Sequence, residues 1–402
     1  MIDWNILVSQ IATVAFDIVY FGAIISTIVV IILDNRNPVK TMAWILILLF
    51  LPIAGLVFYF FFGRSQRRER IIGQKSYDRL LKKPMAEYMA QDCSDVPEEY
   101  ARLIQLFQHT NQAFPFEGNR IAVYTEGYTK LQSLLRELQK AKQHIHIEYY
   151  IFEDDAIGRL VRDVLIEKAS QGVEVRVIYD DVGCWHVPNR FFEEMRNAGI
   201  EVRSFLKVRF PLFTSRVNYR NHRKIVVIDG RIGFVGGMNL AERYMRGFSW
   251  GIWRDTHILI EGKAVHGLQT AFLLDWYFVD RTLITASRYF PKIESCGSSL
   301  VQVVTSEPIG PWKEIMQGLT MAINGAKKYF YMQTPYFLPT EQVLAAMQTA
   351  ALAGVDVRLM LPERADNRIT HLGSHSYLAD VMQAGVKVYF YKKGFLQSKL
   401  MV

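Results

Sequence analysis

From Thr41 to Phe62 the chain reads TMAWILILLFLPIAGLVFYFFF, 22 residues without a charge. Soluble domains rarely bury an apolar helix of that length, whereas a rise of about 1.5 Å per residue carries it across a hydrocarbon core of roughly 30 Å. Pro52 is tolerable within such a helix. Residues 11–33 are nearly as apolar and are broken only by Asp17. That carboxylate lies toward one end of the segment and reads as interfacial rather than functional. The link Asp34-Asn35-Arg36-Asn37-Pro38-Val39-Lys40 is short, so the expectation is a transmembrane helical hairpin. Arg64, Arg67, Arg68 and Arg70 follow the second span, against Arg36 and Lys40 in the link. The positive-inside rule then puts everything after Gly63, and the N-terminus with it, in the cytoplasm. No Lys or Arg precedes the first apolar run, which argues against a cleaved signal peptide. A multi-pass protein of the cell membrane is expected.

Half the residues are hydrophobic and the net charge is +8. That balance suits a membrane surface, phospholipid headgroups or nucleic acid, and charge alone does not choose among them. Cys93, Cys184 and Cys296 are widely spaced and form no CxxC pair, so neither a disulfide framework nor a zinc site is expected. Such cysteine usage fits a reducing compartment.

Past a charged linker with helical spacing around Tyr100 to Phe107, short β-rich runs alternate with amphipathic helices from Asn119 onward, the pattern of an α/β sandwich. The pattern occurs twice. In the first copy the strand His144–Tyr150 is followed by a helix from Gly158 to Ser170. The strand Val173–Tyr179, a helix from Arg190 to Asn197 and the strand Ile200–Phe205 complete it. In the second the strand Tyr329–Gln333 precedes a helix from Glu341 to Ala353. The strand Val355–Met360, a helix from Ser376 to Gln383 and the strand Val386–Phe390 follow. Each copy puts G-V-x-V-R after a helix and A-G-[IV]-x-V one helix later. Two α/β units related by a pseudo-two-fold, with sites able to meet between them, are expected.

The first copy runs into Arg220-Asn221-His222-Arg223-Lys224-Ile225-Val226-Val227-Ile228-Asp229-Gly230, then Gly236-Gly237-Met238-Asn239. On a strand, His222 and Lys224 would share a face, and Asp229 could turn back toward the imidazole. A histidine attacks phosphorus when one ring nitrogen is free and the other is held by a carboxylate. A nearby lysine offsets the charge of the non-bridging oxygens. Asn239, after the Gly236-Gly237 pair, could donate to those oxygens. Around the motif, Arg203, Lys207, Arg209, Arg216, Arg220 and Arg223 alternate with Phe205, Phe210, Leu212 and Phe213. That alternation suits a lipid-facing rim as well as it suits a solvated face.

HRKIVVIDGRIGFVGGMN resembles the HxK(x)4D motif of the phospholipase D superfamily, whose members carry two such motifs. With the N-terminal apolar segments, WRDTHILIEG and TPYFLPTEQ, the chain is similar to bacterial cardiolipin synthases over nearly its whole length. The resemblance implies two repeated phospholipase D-like domains, at residues 119–295 and 296–402. They would follow the transmembrane region (residues 1–63) and a linker (residues 64–118). It implies that His222 takes up a phosphatidyl group, with Lys224 holding the phosphate and Asp229 orienting the site. Gly236, Gly237, Asn239, Arg220 and Arg223 would contact the substrate.

The second motif falls at Gln397-Ser398-Lys399. Gln397 stands where the family has its second histidine, and the Asp expected five residues after Lys399 would lie beyond Val402, so the second domain is expected to be incomplete. Glutamine hydrogen-bonds but exchanges no proton at neutral pH, so impaired turnover is expected. Lys399 would be a second phosphate clamp. Phosphodiester exchange needs no nucleotide or metal, so no cofactor is expected; the implied partners are phosphatidylglycerol, other anionic phospholipids and the bilayer, not nucleic acid. The implied reaction joins two phosphatidylglycerols into cardiolipin with release of glycerol. Hydrolysis by the same motif, or lipid binding without turnover, are the alternatives.

Overall fold

The computed structural model describes residues 4–34, 38–59, 63, 96–207, 220–306 and 312–402, which fall into two units. The Arg64–Arg70 cluster and residues 208–219 of the expected lipid rim lie outside the described residues.

In the first unit α1 (Trp4–Asp34) contains a stretch from Gln10 to Leu33 with mean hydropathy 2.5, long and apolar enough to cross a membrane. The expected second span is instead two short helices, α2 (Pro38–Phe50) and α3 (Pro52–Phe58). The break is at Leu51 (φ −135°, ψ 65°). Pro52 disfavours helical backbone at the residue before it and offers no N–H of its own. Beyond the break the chain turns back. Trp44 and Tyr59 meet edge to face at 5.4 Å, although an unbroken helix would hold them about 22 Å apart. Ile31, Leu48 and Tyr59 are buried together in this fold-back. Gly55 eases the close approach, because a Cβ there would sit a tight 3.1 Å from the Ile47 carbonyl oxygen.

The second unit opens with α4 (Glu98–Asn111). An eight-stranded sheet follows, built from β1 (Pro115–Tyr124), β2 (His144–Tyr149), β3 (Glu174–Asp180), β4 (Glu201–Phe205), β5 (Lys224–Ile228), β6 (Ile232–Gly236), β8 (His257–Glu261) and β9 (Ser299–Gln302). Their order is β4-β3-β2-β5-β6-β8-β1-β9. Although β9 lies past residue 295, it pairs with β1 and belongs to this first sheet. Helices α5 (Gly127–Lys140), α6 (Ala156–Ser170) and α7 (Asn189–Asn197) cover one face, and α9 (Val265–Asp280), which follows the short α8 (Arg243–Arg246), covers the other. The run Ile225-Val226-Val227-Ile228 is apolar throughout because β5 is buried on both faces. Val226 and Ile228 join the α5–α7 side, while Ile225 and Val227 join the α9 side.

The second sheet takes β10 (Tyr329–Gln333), β11 (Asp356–Pro362), β12 (Lys387–Tyr391) and β14 (Leu400–Met401) in the order β12-β11-β10-β14. Three parallel strands with an antiparallel fourth beside β10 repeat the arrangement of β4, β3, β2 and β5. Helices α10 (Glu314–Gly325), α11 (Glu341–Leu352), α12 (Arg368–Ser376) and α13 (Leu378–Gln383) accompany it. The sheets are joined by a short parallel pair, β7 (Ile252–Arg254) with β13 (Gly394–Leu396). Gly394 has φ +153° and a Cβ there would overlap the Ile252 carbonyl, so only glycine lets these strands approach.

Candidate active site

The β7–β13 pair brings the two motifs together. β7 leads into Asp255 and β13 into Gln397. The Gln397 N–H donates to the Arg254 carbonyl at 2.7 Å, and the Ser398 and Thr256 hydroxyls lie 3.0 Å apart. On the other side of the cleft β5 begins at Lys224. His222 therefore lies on the irregular segment 220–223 rather than on the strand expected for it.

Asn221 fixes that segment. Its N–H donates to Asp180 Oδ2 at 3.1 Å and its Oδ1 accepts the Arg223 N–H at 3.0 Å. Its Nδ2 donates to Glu148 and, at 3.1 Å, to Asp275 Oδ2. Burial first, then the charge of Asp275, pushes the Glu148 carboxyl well above its ordinary range. Such burial beside a second carboxylate favours the protonated form of Glu148.

The Tyr150 ring lies 4.7 Å from that of His222 and 5.2 Å from Lys224 Nζ. Lys224 Nζ donates to the His222 carbonyl at 2.6 Å, and Lys399 Nζ to the Gln397 carbonyl at 3.4 Å, so the motifs share a local geometry. Surrounding protein, then the ammonium charges of Lys224 and Lys399, pushes His222 down to about 3. Its imidazole is thus neutral at pH 7, as a nucleophile requires. Burial and Lys399 bring Lys224 down to about 7.

Both lysines feel the charge of Asp255, which is 1% exposed. Its Oδ1 accepts the Thr256 N–H at 2.7 Å, and Oδ2 has no hydrogen-bond partner. Burial raises its carboxyl, opposed by that N–H and by the Lys399 and Lys224 charges. Gly237 makes room for it, since a Cβ there would lie 2.2 Å from Asp255 Oδ1. Behind Asp255 is Lys130, wholly buried, with Nζ 2.8 Å from the Tyr149 hydroxyl. Burial lowers Lys130 to about 7 against the attraction of Asp255. His257, also wholly buried with both ring nitrogens unpartnered, is kept neutral by burial and by the charges of Lys130 and Lys224.

Several expected contacts are not made. Asp229 lies at the far end of β5 from Lys224, about 16 Å along the strand. Its carboxylate accepts the N–H groups of Lys142, Gln143 and His144 at 2.8–2.9 Å, so it fixes the entry to β2 rather than the imidazole. Asn239 is buried, its Oδ1 accepting the Ile151 N–H at 3.0 Å and its Nδ2 donating to the Tyr244 hydroxyl, so its amide is committed within the protein. Arg220 is drawn to Asp180 at 3.6 Å and Arg223 pairs with Asp275, both turned to buried carboxylates rather than to a substrate. Gly236 packs on His257, where a Cβ would lie 2.5 Å from its Cα. The cleft groups that remain are His222, Lys224, Lys399, Asp255 and Gln397, whose Oε1 is buried without a partner.

Asp255→Asn should expose the electrostatics of this cluster. Lys224 and Lys130 ordinarily titrate near 10.5, and their folded values of about 7 mean that the unfolded chain holds more protons between those limits. Stability therefore rises with pH across that window. Removing the Asp255 charge should cost about 3–5 kcal/mol at pH 6, where the lysines carry their charge, and less at pH 9. The thermal midpoint in detergent measures this, and an equal loss at both pH values would count against the cluster.

A family model described as cardiolipin synthase, PLD-like domain, matches residues 134–275 and 319–402, and one described as phospholipase D-nuclease N-terminal matches residues 22–64. A cardiolipin synthase of Geobacillus kaustophilus is 40% identical over 96% of this chain and 78% of its own length. The major cardiolipin synthase of Bacillus subtilis is 36% identical over 98% of this chain and 84% of its own. In fold, the crystal structure of phosphatidylserine synthase from Haemophilus influenzae matches with a TM-score of 0.53 at 13% identity, covering 75% of this chain and 80% of that one. The chain belongs to the bacterial cardiolipin synthases of the phospholipase D superfamily.

Proposed function

We propose that the chain moves a phosphatidyl group from one phosphatidylglycerol to another through a phosphohistidine on His222. The observation that carries this is the convergence of a neutral His222 with Lys224 and Lys399 around Asp255. A ring nitrogen of His222 attacks phosphorus and the bond to the glycerol oxygen breaks. The lysine charges offset those on the non-bridging oxygens, and Asp255 keeps the lysine pair from repelling one another. The glycerol oxygen leaves with a proton taken from water, since Gln397 has none to give. A hydroxyl of the second phosphatidylglycerol then attacks the phosphohistidine, gives up its proton to water, and releases His222 and cardiolipin. The matching strand orders of the two sheets support a pseudo-two-fold pair of domains with one shared cleft. Product analysis with phosphatidylglycerol vesicles tests the reading: cardiolipin and glycerol in equal amounts are expected, whereas phosphatidate would mean that water is the acceptor. Gln397 favours a second reading, a chain that takes up lipid but turns it over slowly, and that reading expects bound phosphatidylglycerol with neither product.

The fold-back supports a different membrane topology from the hairpin. At about 20 Å, α2 is too short to cross, and Tyr59 returns to the level of Trp44. We therefore assign α1 the single crossing among the described residues and put Arg36, Lys40 and the Arg64–Arg70 cluster on the cytoplasmic side together with the catalytic unit. The N-terminus is then outside, unlike in the two-span hairpin. A cysteine at Ile2 should react with an impermeant maleimide applied to intact spheroplasts; protection there, with labelling only after lysis, would restore the hairpin. External protease should leave the catalytic unit whole in either arrangement.

A further inference from the structure

Helix α12 uses only one side for packing. Asn367 caps it, accepting the N–H groups of Ile369 and Thr370 at 2.9 and 3.2 Å. Ser374, 3% exposed, donates its hydroxyl to the Thr370 carbonyl at 2.8 Å and accepts the Phe337 N–H at 2.9 Å. His375 stacks on Phe390. On the outer side Ile369 is 81% exposed and Leu372 62%. Positions three apart on a helix are neighbours. Leu338, 53% exposed, lies against the same helix, with a Cβ on Gly373 falling 3.0 Å from its Cδ2. Three large aliphatic side chains thus form one patch outside the core of the second sheet.

The segment leading into α12 reaches toward the joining strands and Lys399. Exposed Arg364, just before α12, reaches within 6.0 Å of the Trp250 ring. Tyr336 donates to Asp366 Oδ1 at 2.6 Å, and Asp366 in turn acts electrostatically on Lys399. Trp250 and Tyr336 pack on Trp253 and Phe395, the side chains of the joining strands β7 and β13. Arg368, at the start of α12, is exposed as well. Aliphatic side chains level with arginines suit the boundary between acyl chains and anionic headgroups.

We propose that the Leu338–Ile369–Leu372 patch seats in the interface of an anionic bilayer. Arg364 and Arg368 meet headgroup phosphates there, and the cleft mouth is held against the leaflet that supplies its lipid. The surface rests on the phosphatidyl-transfer reading only for what the mouth takes up. A soluble protein partner would need an apolar groove to receive the patch, whereas a bilayer accepts its convex shape and its charge together. The +8 net charge of the chain favours the anionic leaflet.

The test uses the full chain in phosphatidylglycerol proteoliposomes, with Cys93, Cys184 and Cys296 replaced by alanine. One cysteine, at Ile369 or at Leu352, carries an environment-sensitive fluorophore. Leu352, 73% exposed on α11, is the control. Doxyl-labelled lipid should quench the label at position 369 severalfold more than at 352, and Arg364→Gln with Arg368→Gln should reduce the difference. Equal quenching at both sites overturns the proposal. So does a label at 369 that is shielded equally without lipid, which would mean that protein covers the patch. Ile369→Asn with Leu372→Asn should slow turnover of vesicle phosphatidylglycerol severalfold and spare a short-chain, monomeric phosphatidylglycerol; equal loss on both substrates also counts against it. Differential quenching without cardiolipin formation keeps the surface and sinks the reaction, and cardiolipin without differential quenching does the reverse.

Discussion

His222→Ala is expected to abolish phosphoenzyme formation and phosphatidyl transfer while leaving the chain in the membrane. The imidazole is a neutral nucleophile acted on by the charges of both Lys224 and Lys399. Its neutrality has a physical cause in enclosure by protein and two adjacent ammonium groups. Removing a nucleophile in an enzyme that works through a covalent intermediate costs on the order of 10⁶-fold in turnover in a well-studied acyl-transfer case. The backbone around His222 should survive, because Asn221 holds it through Asp180, Glu148 and Asp275 and the imidazole takes no part in that network. Three measurements separate chemistry from folding. Acid-labile, base-stable phosphate should be found on native protein incubated with lipid labelled at its phosphorus and be missing from the variant. Carbonate extraction should leave both in the membrane fraction, and the thermal midpoints should agree. Cardiolipin formed by the variant at an undiminished rate would refute the assignment of the nucleophile.

The sheets were legible in the sequence because several strands alternate with a period of two, as in Glu174-Val175-Arg176-Val177 and Asp356-Val357-Arg358-Leu359, where Val175, Val177, Val357 and Leu359 are buried. The expected strand Tyr329–Gln333 coincides with β10, and the others of the two copies are offset by a residue or two. What the sequence hid was the direction of polar side chains. The spacing of Asp229 from His222 suggested a charge relay, yet the chain passes into a left-handed residue at Asp229 (φ 52°) and its carboxylate caps the neighbouring strand. Asn239 and Arg223 are likewise bound to partners far along the chain, Ile151 and Asp275, which no local spacing announces. Asp255 is reached only through the β7–β13 pairing, a contact between halves of the chain. Lys130 did leave a trace. It precedes Leu134 and Leu138 at intervals of four, on the apolar stripe of α5, where a lysine is out of place unless buried with a partner. The second apolar segment misled for the opposite reason: composition reports what a segment can be dissolved in and not whether it turns back at Pro52.

Gln397→His is expected to raise phosphatidylglycerol turnover by about 10²–10⁴-fold, the usual worth of a positioned general acid. The leaving glycerol oxygen needs a proton, and a glutamine amide has none to give at neutral pH. The site is otherwise ready for an imidazole. The Gln397 N–H is held by the Arg254 carbonyl and the neighbouring Ser398 hydroxyl lies 3.0 Å from that of Thr256, so the backbone that carries the side chain is fixed from β7. The side-chain Oε1 is buried with no partner, a cost that a histidine oriented by a carboxylate would not carry. Asp255, with its Oδ2 likewise unpartnered, is the carboxylate on that side of the cleft. Pairing with it would raise the imidazole from the low value that Lys224 and Lys399 would otherwise impose, into the range where it can both give and accept a proton. The gain should therefore depend on Asp255. Gln397→His with Asp255→Asn should lose most of it, and its pH profile should fall on the alkaline side, where an unsupported imidazole has no proton to donate. Phosphohistidine on His222 distinguishes the two half-reactions: with Gln397 it should accumulate slowly and persist, and with histidine it should form and decay within a turnover. A Gln397→His chain that turns over no faster than the native one, with His222 still phosphorylated at the same rate, would mean that the proton comes from elsewhere and that position 397 has no part in acid catalysis.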